Sequence, residues 1–236
     1  MNKRHWYILL TYILTQFSSF FGVIILRAFD VPDEKIPGIW NIISFPIALV
    51  IILILLLPDI KNRHMIRGRA TRSQAAGWAI LGVFMVFGAQ YVAAMLEMLL
   101  FGIMPGSENT ELIVSYAKVV PAFIFIVAII GPVLEEIVFR MIIFGALFKK
   151  WNFWIAALLS SLIFSIVHFD FEHVLIYTAV GFTFAYLYVK TKRILVPIIA
   201  HATLNSAAVL INIIYSDKIQ EIVEKLEQIE QFIGGL

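Results

Sequence analysis

The chain has 236 residues, of which 61% are hydrophobic and only 14% charged, with a mean hydropathy of +0.92. Soluble domains carry about 25% charged residues, so the composition points away from a soluble globular protein and towards one that lives in a bilayer. The net charge of +2 says little, because the charges are segregated along the chain.

Uncharged runs of about 20 residues, enough to cross a hydrocarbon core, recur from end to end. The first, near residues 6–27, follows Lys3 and Arg4. It is too long for a secretory signal and no small-residue cleavage pattern follows it, so it reads as an uncleaved helix. Two more spans, near 38–57 and 75–101, flank a basic loop from Lys61 to Arg72. A fourth apolar run, 116–148, exceeds one crossing. It is expected to be broken or kinked at Gly131-Pro132, where proline removes a backbone hydrogen bond and clashes with the preceding turn. The part before the break is expected to lie at the interface or to enter obliquely. Spans near 153–169, 173–189 and 194–215 complete the set. The expected fold is an all-α polytopic membrane protein of about seven transmembrane helices, with room for an eighth.

Three regions follow: spans one to three with the basic loop (1–115), a core of later spans (116–215), and a tail (216–236). In the tail Ile219, Ile222, Val223, Leu226, Ile229 and Ile233 recur at helical spacing among Glu221, Glu224, Glu227 and Glu230. That is the pattern of an amphipathic helix lying on a membrane or a partner helix.

Orientation follows from the lysines and arginines. Alternate connections carry Lys3 and Arg4, then Lys61, Arg63, Arg67, Arg69 and Arg72, then Lys149 and Lys150, then Lys190, Lys192 and Arg193. The intervening connections carry Asp30, Asp33, Glu34, Glu108, Glu111, Asp170 and Glu172, with Lys35 and Lys118 as the basic exceptions. The basic set belongs in the cytoplasm, which places the N-terminus inside the cell membrane and, with seven spans, the C-terminus outside. Trp6, Tyr7, Trp151, Trp154 and Tyr188 fall where interfacial aromatic belts form. The lipid bilayer is the one partner this pattern requires; no nucleic-acid partner is implied.

Glu135, Glu136 and Arg140 stand inside the fourth run, PAFIFIVAIIGPVLEEIVFRMIIFGALF. Each ionisable group at that depth costs about 2.5–3.5 kcal/mol on insertion scales. Glu136 and Arg140, four residues apart, face the same way and are expected to pair. Glu135 is turned by about 100° and is left to act elsewhere. His168 ends the run SSLIFSIVH, with Phe164 one turn earlier; His201 opens HATLNS, with Asn205 one turn later. At about 1.5 Å per residue from the basic ends, Glu135, His168, His201 and Asn205 reach a common level of the bilayer.

A carboxylate, two imidazoles and a carboxamide suit hydrolysis: one takes a proton from water, one holds the water or protonates a leaving amine, one stabilises an oxyanion. Neither a G-x-S-x-G elbow nor an H-E-x-x-H zinc signature occurs. Glu135, His168 and His201 are nonetheless the groups that would hold a divalent metal such as zinc, with an open fourth position. Both readings stand at this level, the metal-free one being favoured. Cysteine is absent, so there are no disulfides, thiol nucleophiles or thiolate ligands.

EEIVFR, FSIVH and HATLN carry E-E-x-x-x-R, F-x-x-x-H and H-x-x-x-N in that order. In this the chain resembles the CAAX protease and bacteriocin-processing (Abi, CPBP) family of intramembrane endopeptidases, Rce1-like proteins among them, over about residues 116–215. The resemblance implies helices around a water-filled catalytic chamber, Glu135 as general base and His168 holding the attacking water. It makes His201 and Asn205 the oxyanion site, with Glu136, Arg140 and Phe164 as structural support. The implied substrate is a membrane-associated peptide or protein. Two other functions carry the same features: a non-catalytic scaffold or bacteriocin-immunity protein that keeps the fold, and a proton-coupled transporter.

Among lesser candidates, Glu97 near the outer end of the third span is expected to snorkel to the interface. His5, His64 and His173 lie in or beside connections and are expected to be solvated. The loop from Lys61 to Arg72 sets topology and attracts anionic headgroups.

Overall fold

The computed structural model describes residues 1–104 and 106–234; from 216 to 234 the only side chains among those described are Lys218 and Lys225. All regular structure among the described residues is helical. Helices α1 (Lys3–Phe17) and α2 (Ser19–Arg27) meet at 44°, and α3 (Ile36–Lys61) and α4 (Arg72–Phe101) follow. A short α5 (Glu108–Val119) precedes α6, a continuous helical run over 123–147. Then come α7 (Phe153–Ile166), α8 (Val174–Thr191) and α9 (Leu195–Gly234).

The bend between α1 and α2 has a specific origin. Ser18 donates its hydroxyl to the Thr15 carbonyl at 2.7 Å and accepts from the Trp40 indole at 2.9 Å. Gly22 lies against that same indole, where any Cβ would collide, so α2 can close onto α3 only through glycine.

Helix α6 is the axis of the molecule. Its Leu134, Ile137, Val138, Phe139 and Ile142 are buried against Ile8 and Tyr12 of α1, Ile52 and Leu56 of α3, and Phe164 of α7. A second core joins α4, α8 and α9 through Val86, Phe184, Leu187, Val196 and Ala200. Phe144, Ala156, Ala157 and Ala185 close the seam between α6, α7 and α8. At Gly181 a Cβ would approach Ser161 to 3.0 Å and Phe164 to 3.3 Å, so glycine lets α7 and α8 cross closely there.

One departure from expectation concerns the fourth apolar run. The chain breaks at residues 120–122, between α5 and α6; at Gly131-Pro132 it stays helical, with irregular turns in place of a break. Proline is accommodated because the helix widens to π-helical turns on either side, at Ile126–Ile130 and Ile137–Phe144. By length and apolarity alone, four described helices can cross a membrane, or five if α1 and α2 count as one bent span. The expected count was seven. That criterion leaves out α7, which is 14 residues long, and α6, which is divided into short α- and π-helical pieces, so the expected seven is not confirmed by it.

The ends of the bundle differ in charge. Arg4 pairs with Asp59 at 3.3 Å, Lys192 donates to the Arg67 carbonyl at 2.6 Å, and Ala70 donates to the Thr191 carbonyl at 3.0 Å. The N-terminus, the basic loop and the α8–α9 turn therefore share one end. At the opposite end, Ser107 ahead of α5 bonds Asp170 in the α7–α8 turn at 2.6 Å. The tail expected to be amphipathic continues α9 as helix to Gly234, but its apolar and acidic side chains lie outside the described residues.

Candidate active site

Glu136 and Arg140 are both completely buried, with Arg140 Nε 3.2 Å from Glu136 Oε2. The contact brings the charges together but is not aligned as a hydrogen bond. The guanidinium is instead faced by aromatic rings, 4.7 Å from the centre of Phe164, 5.5 Å from Phe184 and 6.0 Å from Phe139. Ring faces carry negative potential and so share the work of the carboxylate in compensating a buried cation.

The second oxygen of Glu136 reaches another helix. Its Oε1 lies 3.0 Å from Nδ1 of His201. A carboxylate paired with arginine only accepts, so His201 carries a proton on Nδ1 and turns Nε2 the other way. There Nε2 lies 3.6 Å from Glu135 Oε2, beyond direct hydrogen-bond range. Glu135 is the open member of the three, its side chain 18% exposed against 0% for Glu136. The ring of His201 is held flat by Phe184, stacked at 4.6 Å and 22°.

Phe164 brings the two imidazoles together. Its ring centre lies 4.5 Å from His168 and 5.9 Å from His201, with both imidazoles meeting it edge to face. His168 Nδ1 is 2.7 Å from the Phe164 carbonyl, which can only accept. His168 is therefore protonated on Nδ1, leaving Nε2 as its free lone pair. Its other face stacks on Tyr177 at 4.3 Å.

Asn205 is committed to the backbone. In the π-helical turn Gly131 N–H donates to Ile126 O, five residues back. The next donor in that register would be Pro132 to the Val127 carbonyl, and proline has no N–H. Asn205 Nδ2 supplies the missing donor at 3.2 Å from Val127 O. One N–H of the amide remains for other use.

Glu135, Glu136, Arg140, His168 and His201 thus lie together around Phe164, while Asn205 is bonded to the backbone of α6; sequence did not reveal the links from Glu136 to His201 and from Asn205 to Val127. The candidate metal set fares differently. Among the described residues no group of three His, Asp or Glu side chains is arranged to hold a metal ion. Glu135, His168 and His201 do not form a three-ligand set in this geometry.

Two expectations at the outer end are corrected. Glu97 does not snorkel; it is 1% exposed, and Oε1 accepts the Ile176 backbone N–H at 3.1 Å while Oε2 meets His173 Nδ1 at 2.8 Å. His173 is likewise buried rather than solvated. The reason is that α8 begins inside the protein, and its first-turn N–H groups need an acceptor that water does not reach. Glu97 supplies it from α4, where its place in an otherwise apolar helix was the available signal. Asp170, grouped with the outer acidic residues by sequence, is also buried.

Apolar helices enclosing a carboxylate–imidazole cluster define an integral membrane protein with the groups of a hydrolase at its centre. Residues 117–207 match the family described as type II CAAX prenyl endopeptidase Rce1-like. Along its full length the chain is 41% identical to membrane peptidase YdiL of Bacillus subtilis (strain 168), covering 99% of that protein. It is 34% identical to the membrane-embedded CAAX protease MroQ of Staphylococcus aureus (strain USA300), over 94% of this chain and 95% of that one. No solved structure matches. The chain belongs to the Rce1-like CAAX protease family of membrane peptidases.

Proposed function

We propose that the protein is an intramembrane endopeptidase in which Glu135 activates water for attack on a peptide bond of a membrane-associated substrate. The observation that carries this is the 3.6 Å gap between Glu135 Oε2 and His201 Nε2. With His201 Nε2 beside it, a water held by the exposed Glu135 carboxylate has a second acceptor within reach. Glu135 takes a proton from that water as its oxygen adds to the carbonyl carbon. The C–N bond of the tetrahedral intermediate then breaks, and the proton is returned to the amine nitrogen. His168, with Nε2 free, orients the water or the departing amine. His201 Nε2 accepts from the second hydrogen of the water, which stays on the attacking oxygen, and the unused N–H of Asn205 donates to the oxyanion.

The ion pair of Glu136 with Arg140 serves this scheme through His201. Glu136 fixes the imidazole tautomer, and Arg140 sets its positive charge beside that carboxylate. The reaction requires no metal. The protein sits in the cell membrane with seven crossings, α5 at the outer surface and the basic end in the cytoplasm, a reading supported by the gathering of Arg4, the 62–71 loop and Lys192 at one end. The relatives named as peptidases favour catalysis over a scaffold or transport role.

The test is reconstitution of the purified protein in phospholipid vesicles with a mixture of apolar peptides, read by mass spectrometry. Discrete new C-termini that form only with the protein present are expected. An unchanged mixture, with folded protein in the vesicles, contradicts the proposal.

A further inference from the structure

We propose that Tyr177 is a positioning residue for His168, holding the imidazole plane so that Nε2 addresses the reacting groups; the inference rests on the reading of His168 as part of the hydrolytic site. The rotation of a histidine ring about its second side-chain torsion is intrinsically loose. The hydrogen bond from Nδ1 to the Phe164 carbonyl sets the tautomer, and a parallel surface is what sets the plane. Tyr177 is that surface, its ring 4.3 Å from the imidazole and inclined by 30°.

Tyr177 is itself held more firmly than a packing aromatic requires. Its hydroxyl accepts from Asn109 Nδ2 at 3.3 Å and reaches to 3.5 Å from Asp170 Oδ2. Asp170 in turn accepts from the Ser107 hydroxyl at 2.6 Å and is only 8% exposed. Ser107 and Asn109 come from the start of α5 and Asp170 from the turn just after His168. Three polar side chains from two segments thus converge on one phenol, and the other end of that phenol lies on His168. The assembly makes α5 part of the active-site frame, although no residue of α5 belongs to the hydrolytic cluster.

The test compares wild type, Tyr177→Phe and Tyr177→Leu in vesicles, on whichever member of a quenched fluorescent peptide library the wild type cuts fastest. Tyr177→Leu is expected to lower kcat about 10–100-fold, the scale of a catalytic group displaced by about 1 Å, with KM within about twofold. Tyr177→Phe keeps the stacked ring and should rescue kcat to within about fivefold, the size of one neutral hydrogen bond. Nitrogen NMR of histidine-labelled protein should show one Nδ1-protonated form of His168 in wild type and Tyr177→Phe, and a mixture in Tyr177→Leu. If Tyr177→Leu does not fold, Asp170→Asn keeps size while loosening the phenol, and kcat should fall about fivefold at constant KM. Wild-type kcat in Tyr177→Leu or Asp170→Asn, or a loss confined to KM, overturns the proposal. His168→Ala in the same assay separates the two levels: if it cuts like wild type, the hydrolytic reading of His168 fails, which no result on Tyr177 alone would show.

Discussion

The side-chain amide of Asn205 donates to the carbonyl of Val127, the acceptor that Pro132 leaves without a partner in the π-helical register. One residue on α9 thereby repairs a defect that another creates on α6. The repair also fixes the distance between the helix that carries Glu135 and the one that carries His201.

A double-mutant cycle follows from that relationship. Asn205→Ala should cost about 1–3 kcal/mol of stability, the penalty of leaving a buried carbonyl unpaired. In a Pro132→Ala background, where a backbone N–H is restored, the same substitution should cost much less. Thermal or denaturant unfolding in detergent measures both. Equal costs in the two backgrounds would mean that the amide serves only the reacting groups.

The buried ion pair makes a second prediction. Arg140→Met leaves Glu136 charged and unpaired in the interior, a loss of about 3–5 kcal/mol, and should sharply reduce the yield of folded protein. Adding Glu136→Gln removes the orphan charge and should recover folding but not activity, because His201 Nδ1 then faces a weaker acceptor. Arg140→Lys should not substitute, since an ammonium cannot lie flat among Phe139, Phe164 and Phe184. Size-exclusion yield and peptide cleavage, taken together, distinguish the three.

Glu97 is expected to act on stability alone. Glu97→Ala strips acceptors from the Ile176 N–H and from His173, and should lower stability by about 1–3 kcal/mol. KM and kcat measured below the unfolding transition should stay within about twofold, since neither residue touches the hydrolytic cluster.

Metal removal tests the chemistry. Protein dialysed against a strong chelator should retain its cleavage rate, and elemental analysis should find no stoichiometric zinc. Chelator-sensitive activity restored by added zinc would replace the glutamate scheme with a metal one.

What the sequence disclosed is what periodicity and counting can reach. The spacing of Glu136 and Arg140 predicted their pairing because a helix places residues four apart on one face. Counting 1.5 Å per residue brought Glu135, His168, His201 and Asn205 to one depth. Partner choice across helices was hidden. Nothing in the order of residues says that Glu136 has an oxygen to spare for His201, or that Tyr177 lies flat on His168. Glu97 was misplaced for a related reason, because an acidic residue near a helix end snorkels unless another chain segment needs an acceptor there. Gly131-Pro132 looked like a break because proline removes a hydrogen bond, and the replacement donor sits 73 residues downstream.

The most direct measurement is the turnover of Glu135→Gln, which keeps the size and hydrogen-bonding reach of the side chain while removing its basicity. With folded protein matched to wild type, kcat on a cleaved peptide should fall on the order of 10²–10⁴-fold, the contribution of a positioned general base. A rate within about threefold of wild type would show that Glu135 is not the group that activates water.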